Sequence, residues 1–320
     1  MSVIRRVLLT TTFAALTAGY IAPILAQEVP VEGPVTTTAL INVDSKHETK
    51  LDPSLLTLSV DGRATPVTGI RAVQPGSAQV AILIDDGLRG SFGTQLNDLK
   101  NFITSMPTGM QVLVGYMRNG VVDVDGPYGF TTNHIAAAGK VRLPISSPGI
   151  SASPYFCLSE FVKHWPSNQP GPRFVMMLTN GVDPYNGSTS IMNQDSPYVQ
   201  TAQEDAQRNG VAVYSIPYSD AGFRGGRGGR GGGSYSGQNY LSQVAEATGA
   251  EMFNYGMGNP VSLTPFLNDF QKSITESYTI SFMANAKAGK RQNLSRIKLK
   301  TSQPDVKIHA PDGVQPGTNL

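Results

Sequence analysis

The chain has 320 residues, 40% hydrophobic and 15% charged, which is enough to bury the core of one main domain plus a smaller one. Its formal net charge of +2 creates no overall field that would draw it to nucleic acid or to an anionic membrane. The single cysteine, Cys157, excludes an intrachain disulfide and paired-thiol chemistry.

The first 26 residues predict a secretory signal peptide. Basic Arg5 and Arg6 precede an apolar run, and Ala26 is a small residue at which cleavage could occur. An uncleaved N-terminal anchor is the alternative, because the apolar run borders on the length of a membrane span. We therefore expect an exported protein, periplasmic or secreted, with no membrane span after cleavage.

Residues 27–77 predict a β-rich N-terminal arm. The stretches "TTTALINVDS" and "LLTLSVDGRATPVTGIRAV" show β-branched alternation, and Asp61-Gly62 and Pro66 favour tight turns. No residue of the arm suggests a chemical role.

From residue 78 to residue 283, apolar runs alternate with helical patterns. This alternation predicts an α/β fold with a doubly wound, mostly parallel, Rossmann-like sheet covered on both faces. Residues 110–126 are too closely spaced for a crossover helix and predict an antiparallel hairpin that turns at Asn119-Gly120. The other expected strands are 80–85, 173–180, 211–218, 250–255 and 277–283, and the expected helices lie near 91–105, 133–141, 154–164, 197–209, 238–247 and 262–276.

The pattern returns to β in residues 284–311. The segments 294–302 and 306–311 predict strands that pair with the N-terminal arm, so that both chain ends build one small β-domain. Residues 312–320 are expected to be a mobile tail.

Polar side chains gather in three loops of the predicted α/β domain. In an open α/β sheet, ligands bind beyond the carboxyl ends of the strands, so these loops predict a binding face. They are residues 85–91, 147–154 and 179–184. The candidate contact residues are Asp85, Asp86, Arg89, Ser91, Ser151, Ser153, Asn180 and Asp183.

The order "LIDDG", then "GISA" before a helix, then "MMLTNGVD" resembles a von Willebrand factor A-type (VWFA) domain. The phrases "LDPSLLTLSVDG" before these motifs and "ITESYTISFMA" after them are similar to the bacterial VWFA-related branch. The late stretches "LSQVAEATGAEMF" and "LTPFLNDFQKSI" also resemble that branch. The resemblance covers roughly residues 36–310 and implies the α/β fold and a protein-binding or adhesion function.

That family carries a metal-ion-dependent adhesion site, with Asp-x-Ser-x-Ser in the first loop, Thr in the second and Asp in the third. Carried over, the first Asp is Asp85, but Gly87 and Arg89 stand at the two Ser positions. Ser151 matches the Thr and keeps a hydroxyl, while Asn180 replaces the third-loop Asp. Two hydroxyl ligands and one carboxylate are thus missing, which predicts a degenerate site.

We therefore expect no cofactor and an internal ion pair of Arg89 with Asp85 or Asp86. In one alternative, a Mg²⁺ or Ca²⁺ ion binds Asp85, Ser151 and Asn180, supplemented by other oxygens of the same loops. Those oxygens belong to Asp86, Ser91, Ser153 and Asp183. In another, Asp85 only caps the following helix.

No enzyme motif stands out. The histidines are scattered, "GISAS" lacks the final glycine of a nucleophile elbow, and neither a phosphate loop nor a dinucleotide fingerprint follows the first strand. We therefore predict a non-catalytic, exported module that docks an unidentified protein or surface component. The alternatives are a divalent-cation-dependent adhesion domain with non-standard ligands and a periplasmic α/β hydrolase.

A glycine-rich stretch, "FRGGRGGRGGGSYSG" (223–237), interrupts the later part of the chain. Arg-Gly-Gly runs can bind single-stranded nucleic acid through charge and stacking, but an exported chain with three such arginines favours a flexible loop. A contact of these arginines with an acidic partner is a hypothesis.

Overall fold

The structure is a computed structural model that describes residues 32–45, 50–88, 90–145, 153–183, 196–218, 233–254, 259–287 and 293–320; for residues 90–91 and 233–236 it describes only the backbone. The predicted signal peptide and residues 223–232 of the glycine-rich stretch lie outside these residues. The described residues belong to one compact unit.

The strands follow the sequence patterns closely. They are β1 (Gly33–Ser45), β2 (Leu56–Val60), β3 (Arg63–Thr65), β4 (Val67–Ala72), β5 (Gln79–Asp85), β6 (Gln111–Arg118), β7 (Val121–Asp123), β8 (Arg173–Thr179), β9 (Val211–Pro217), β10 (Ser277–Ala286), β11 (Ser295–Thr301), β12 (Val306–His309) and β13 (Gly313–Val314).

The helices alternate with the strands of the middle of the chain. They are α1 (Leu96–Thr104), α2 (His134–Gly139), α3 (Pro154–Lys163), α4 (Pro197–Arg208), α5 (Gly233–Ala247) and α6 (Thr264–Thr275). Short 3-10 turns cover Pro53–Leu55, Pro75–Ser77 and Gly90–Gln95.

The central sheet has the strand order β7-β6-β5-β8-β9. Strands β5, β6, β8 and β9 are parallel, and β7 is antiparallel to β6 at the edge. The hairpin turns where predicted, with positive φ at Asn119 (50°) and Gly120 (83°), as a two-residue type I′ turn requires. The predicted α/β class with a mostly parallel sheet is confirmed.

Helices cover both faces of this sheet. On one face, Val80, Ile82 and Ile84 of β5 pack with α1, α2 and α6, and on the other, Ala81 and Leu83 pack with α3, α4 and α5. Since successive side chains of a strand point to opposite faces, a strand buried on both sides must be apolar throughout. The run "VAILI" is the consequence.

Strands from both ends of the chain form a β-sandwich. One sheet has the order β12-β1-β10-β4 and the other β13-β11-β2-β3. Alternate residues of these strands form the core between the two sheets, among them Ile41, Leu58, Phe282 and Leu299. Strand β1 also reaches the α/β core through Leu40. The small β region expected from the two chain ends is therefore present.

Strand β10 lies elsewhere than expected. Residues 277–283 were predicted to close the α/β domain, but β10 pairs antiparallel with β1 and β4. The burial pattern of β10 explains the difference. Ile280, Phe282 and Ala284 are buried, whereas Met283 and Asn285 are exposed. That alternation is typical of an antiparallel strand with one buried face, not of a parallel strand covered on both.

Two other expectations were wrong. In residues 250–254 no strand forms, only an isolated bridge between Met252 and Ser215. The expected mobile tail packs onto the body: the Thr318 carbonyl accepts a hydrogen bond from the Thr38 N–H at 2.8 Å, and β13 pairs with β11. Buried Val314 completes the sandwich core, which gives the tail an apolar anchor.

No helix among the described residues has the length and apolar character to cross a membrane.

Candidate functional site

The first and third predicted loops meet where the strand order of the central sheet reverses. The chain leaves β5 toward β6 on one side and leaves β8 toward β9 on the other, so a crevice opens between β5 and β8. Asp85 ends β5 and Thr179 ends β8. The Thr179 hydroxyl donates to Asp85 Oδ2 at 2.7 Å, and the Gly87 N–H donates to Asp85 Oδ1 at 2.9 Å.

Burial disfavours the charged form of the Asp85 carboxyl. Burial raises the pKa of its carboxyl above the ordinary value, the hydrogen bonds from Thr179 and Gly87 lower it, and the neighbouring Asp86 raises it further. The net direction is upward, so these two neutral donors do not offset the loss of water around the carboxylate.

Asp86 is neutralised by a residue that the sequence did not suggest. Its carboxylate is only 1% exposed and accepts a hydrogen bond from Arg142 Nη1 at 2.9 Å and one from the Ile145 N–H at 3.1 Å. The pair combines charge with hydrogen bonding, the arrangement that a buried carboxylate needs. Arg142 is thus a cation of the described chain that neutralises Asp86. The expected pair of Arg89 with Asp85 or Asp86 stays a prediction, because Arg89 lies outside the described residues.

Tyr116 holds Arg142 in place. The guanidinium carbon lies 3.7 Å from the centre of the Tyr116 ring, a cation–π contact. The Tyr116 hydroxyl accepts from the Arg142 N–H at 2.6 Å and donates to the Arg142 carbonyl at 2.9 Å. Burial raises the pKa of Tyr116 to about 12, so the hydroxyl keeps its proton in this role. Arg142 Nε also reaches Asp125 at 3.3 Å.

Sequence reasoning missed Arg142 because it follows α2 and belongs to none of the predicted loops. A single arginine in the apolar stretch "VRLPI" carries no periodic or motif signal. Only the fold brings it to Asp86, 56 positions earlier in the chain.

The third loop is held by tight backbone packing. Asn180 Oδ1 accepts from the Val182 N–H at 2.9 Å, and the Tyr155 hydroxyl of α3 donates to the Gly181 carbonyl at 2.7 Å. Gly181 has a φ of +68° and lies directly against Gly237 of α5. A Cβ on Gly237 would overlap the Asn180 carbonyl oxygen, so both positions need glycine.

Two further candidate residues serve helix ends. Ser153 is the N-cap of α3, and its hydroxyl accepts from the Phe156 N–H at 3.2 Å. Asp183 accepts a hydrogen bond from the hydroxyl of Ser196, the N-cap of α4. Both Ser153 and Asp183 are buried. These hydrogen bonds fix the starts of α3 and α4 next to the loops.

A hard divalent cation at this edge would draw its ligands from the side-chain oxygens of these loops. Such an ion takes about six oxygen ligands, with carboxylates among them. Here the side-chain oxygens of Asp85, Asp86 and Asn180 accept hydrogen bonds from protein groups. Within the described part of the chain, no group of three or more His, Cys, Asp or Glu side chains is placed to hold a metal ion. Ser151 and the Ser91 side chain lie outside it.

Exposed apolar side chains surround this loop edge. Leu143 is 49% and Ile145 71% exposed, and the Ile145 N–H donates a hydrogen bond to Asp86 of the first loop. Val121 begins β7 beside the hairpin turn, and Phe156 of α3 lies against that turn at Gly120. We call Val121, Leu143, Ile145 and Phe156 the apolar rim. Exposed apolar groups gathered around a crevice mark interaction surfaces more often than isolated ones do.

No protein-family model matches the chain, and no curated protein matches it. Among solved structures, it is similar to an aerotolerance-related membrane protein from Bacteroides fragilis, with 11% identity, a TM-score of 0.42, and coverage of 62% of this chain and 97% of that one. BatB from Bacteroides thetaiotaomicron is similar at 13% identity and a TM-score of 0.41, covering 62% and 96%. Manganese-loaded TRAP protein from Plasmodium vivax is similar at 13% identity and a TM-score of 0.37, covering 78% and 98%.

Proposed function

We propose that this chain is an exported, non-catalytic, protein-binding module of the von Willebrand factor A type with a degenerate metal-ion-dependent adhesion site. It docks an unidentified protein or surface component through the loops at the carboxyl ends of its central strands. The observation that carries the proposal is the buried ion pair of Asp86 with Arg142. In this pair a protein cation neutralises the carboxylate that directly follows Asp85, the residue that matches the family's first metal ligand.

The apolar rim supports docking without an ion. A carboxylate-bridged metal contact needs an open coordination position, whereas an interface of the ordinary kind needs apolar anchors in a polar surround. Leu143 and Ile145 are such anchors, because both are exposed and both lie within three residues of Arg142. Arg142 thus neutralises Asp86 and also positions the exposed side chains beside it.

Docking is tested by replacing an exposed residue of the apolar rim with an acidic one. The chain is cross-linked to its partner in the cell envelope, and Ile145→Asp is compared with Ile135→Asp. Ile135 is 79% exposed on α2, next to His134, whose ring contacts the Met110 carbonyl before β6 begins. It therefore lies at the opposite edge of the sheet. We expect Ile145→Asp to lose at least about tenfold of the capture, since burying a charge opposes an apolar contact.

Ile135→Asp should capture as the unchanged chain does. Equal capture by Ile145→Asp and the unchanged chain would show that the strand-end loops are not part of the interface. Equal losses in both variants would point to a general effect on folding.

Independence from metal is tested by calorimetric titration with Mg²⁺, Mn²⁺ and Ca²⁺, and by capture with and without a chelator. We expect no binding heat and unchanged capture, because the loop oxygens already accept protein hydrogen bonds. Millimolar or tighter binding that Asp85→Ala abolishes would instead establish the cation-dependent adhesion domain.

Export is supported by the basic start and apolar run of residues 1–26. Terminal sequencing of the protein recovered from the producing cell's envelope or medium tests it. Cleavage after Ala26 is the expected result, and an intact Met1 would indicate a retained anchor.

A further inference from the structure

A polar cleft of about 400 Å³ opens at one side of the β-sandwich. It lies between the β2–β3 turn, the end of β10 and the start of β11, and it uses no residue of the strand-end loops. Its lining includes Asp61, Arg63, Thr65, Asn285, Lys287 and Asn293.

One wall of the cleft is the uncovered edge of β10. Strand β4 pairs with β10 only from Tyr278 to Phe282, because the chain leaves the sheet at Pro66, which has no N–H. Strand β1 continues on the other side of β10 as far as Ala286. Among the described strands, none pairs with the β4 side of residues 283–286. Backbone N–H and C=O groups at that edge are therefore open to another strand.

The opposite wall presents polar side chains toward the gap between the sheets. Arg63 lies directly opposite Val60, and Thr65 directly opposite Leu58. Residues opposite each other in an antiparallel pair share a face, and Leu58 and Val60 are in the sandwich core. Arg63 and Thr65 therefore extend the inner face of their sheet beyond the core and into the opening.

The charge of the cleft favours an anion. Arg63 and Lys287 are exposed, and within the described chain neither lies within ion-pair distance of a carboxylate. Asp61, the acidic lining residue, uses its carboxylate to accept the Arg296 N–H at 2.8 Å. Asn285 and Asn293 add neutral hydrogen-bonding groups to the same walls. An acidic ligand would gain both charge and hydrogen bonds here.

We propose that this cleft binds an extended acidic peptide segment of a partner protein, which adds as a strand to the open edge of β10. The backbone of the segment pairs with residues 283–286, and carboxylates on its two faces meet Arg63 and Lys287. Strand addition supplies affinity through main-chain hydrogen bonds, and the flanking charges select the segment. A strand of four or five residues is about 13–17 Å long, which suits this edge.

The test measures binding of three fluorescent peptides to the chain by anisotropy. In the first, pairs of adjacent glutamates alternate with pairs of valines, so that carboxylates lie on both faces of the strand. In the second, lysine replaces glutamate, and the third repeats the acidic sequence with methyl groups on alternate backbone nitrogens. We expect saturable binding of the first peptide only. Arg63→Glu with Lys287→Glu should weaken that binding at least about tenfold, since two favourable charge contacts become unfavourable.

The matched control reverses Lys298 and Lys300 to glutamate, because both are exposed on β11 of the same sandwich and neither lines the cleft. That control should bind the acidic peptide as the unchanged chain does. Equal binding of the methylated peptide would overturn strand addition, and unchanged binding by the Arg63 and Lys287 variant would overturn the site. Circular dichroism of each variant shows that the fold is retained. Ile145→Asp should leave peptide binding unchanged. The outcome of the peptide test is therefore independent of the outcome of the docking test.

Discussion

Arg142 neutralises the buried carboxylate of Asp86 in the acidic first loop. It is one-quarter exposed, while the Asp86 side chain that it neutralises is 1% exposed. Removing one partner of such a pair leaves the other charge buried, and that cost exceeds the net gain of forming the pair. Asp85 was found from its place at a strand end, but Arg142 could not be, because pairing across 56 residues leaves no local pattern.

We expect Arg142→Ala to lower the free energy of unfolding by about 2–3 kcal/mol, measured by urea denaturation, because Asp86 loses its cation. Arg118→Ala is the matched control. Its pair with Asp123 is 41% and 42% exposed, so the loss should stay below about 1 kcal/mol. Equal losses of unfolding free energy in the two variants would show that the buried ion pair stabilises the chain no more than the exposed one does.

The raised pKa of Asp85 predicts a pH dependence. A carboxyl whose pKa is higher in the folded than in the unfolded state binds its proton more tightly when folded. Its contribution to stability is therefore greatest at low pH and declines as the pH rises through the ordinary and then the raised pKa. Asp85→Asn removes the titrating carboxyl and with it this dependence on pH.

The free energy of unfolding of Asp85→Asn, relative to the unchanged chain, should therefore rise between pH 4 and pH 7. Urea denaturation at several pH values measures it. A relative stability that falls over this range would mean that Asp85 gains a cationic neighbour in the folded chain, since such a neighbour lowers a carboxyl pKa.

At the scale of elements, the third loop depends on helix α5. Gly181 and Gly237 bring two backbones into contact, and Tyr155 of α3 binds the Gly181 carbonyl from the other side. The sequence shows these glycines but not that they face each other, because contact between a loop and a helix depends on how the helix packs. The carboxyl edge of the sheet is thus shaped by elements distant in the chain.

We expect Gly237→Ala to destabilise the chain by about 1–3 kcal/mol, because its Cβ would overlap the Asn180 carbonyl and displace the loop. Urea denaturation measures the change. Gly139→Ala is the matched control, since Gly139 also lies in a helix but its Cβ would meet nothing within 4 Å. There alanine should be neutral or slightly stabilising. A neutral Gly237→Ala would show that the loop adjusts freely.

At the scale of the whole molecule, β1 joins the two layers. Leu40 packs into the α/β core, while its neighbours Ala39 and Ile41 pack into the sandwich. A strand with side chains in both cores couples the unfolding of the two layers, because neither core keeps its packing when the strand leaves.

Leu40→Ala should therefore lower the stability of both layers together, by about 2–5 kcal/mol. Fluorescence of Trp165, the single tryptophan, reports on the α/β layer, and hydrogen exchange of β10 and β11 amides reports on the sandwich. Coincident shifts are expected. Protection of β11 that survives while Trp165 unfolds would show that the layers are independent.

The amino-acid sequence was sufficient to predict the α/β class, the parallel strands and the hairpin. Those features follow from local periodicity and from turn residues such as Asn119-Gly120, which act over a few positions. It also placed Asp85 at a strand end, where a parallel sheet gathers its loops.

The tertiary structure was needed to show which strands share a sheet and which charges meet. Strand β10 joined β1 rather than the central sheet, and Asp86 met Arg142, because both outcomes depend on contacts between residues far apart in the chain. The fate of the tail was decided in the same way, since Val314 is apolar in sequence but anchors residues 312–320 only when the sandwich core is there to receive it. Local patterns are set by neighbouring residues, whereas pairing is set by the free energy of burying distant groups together.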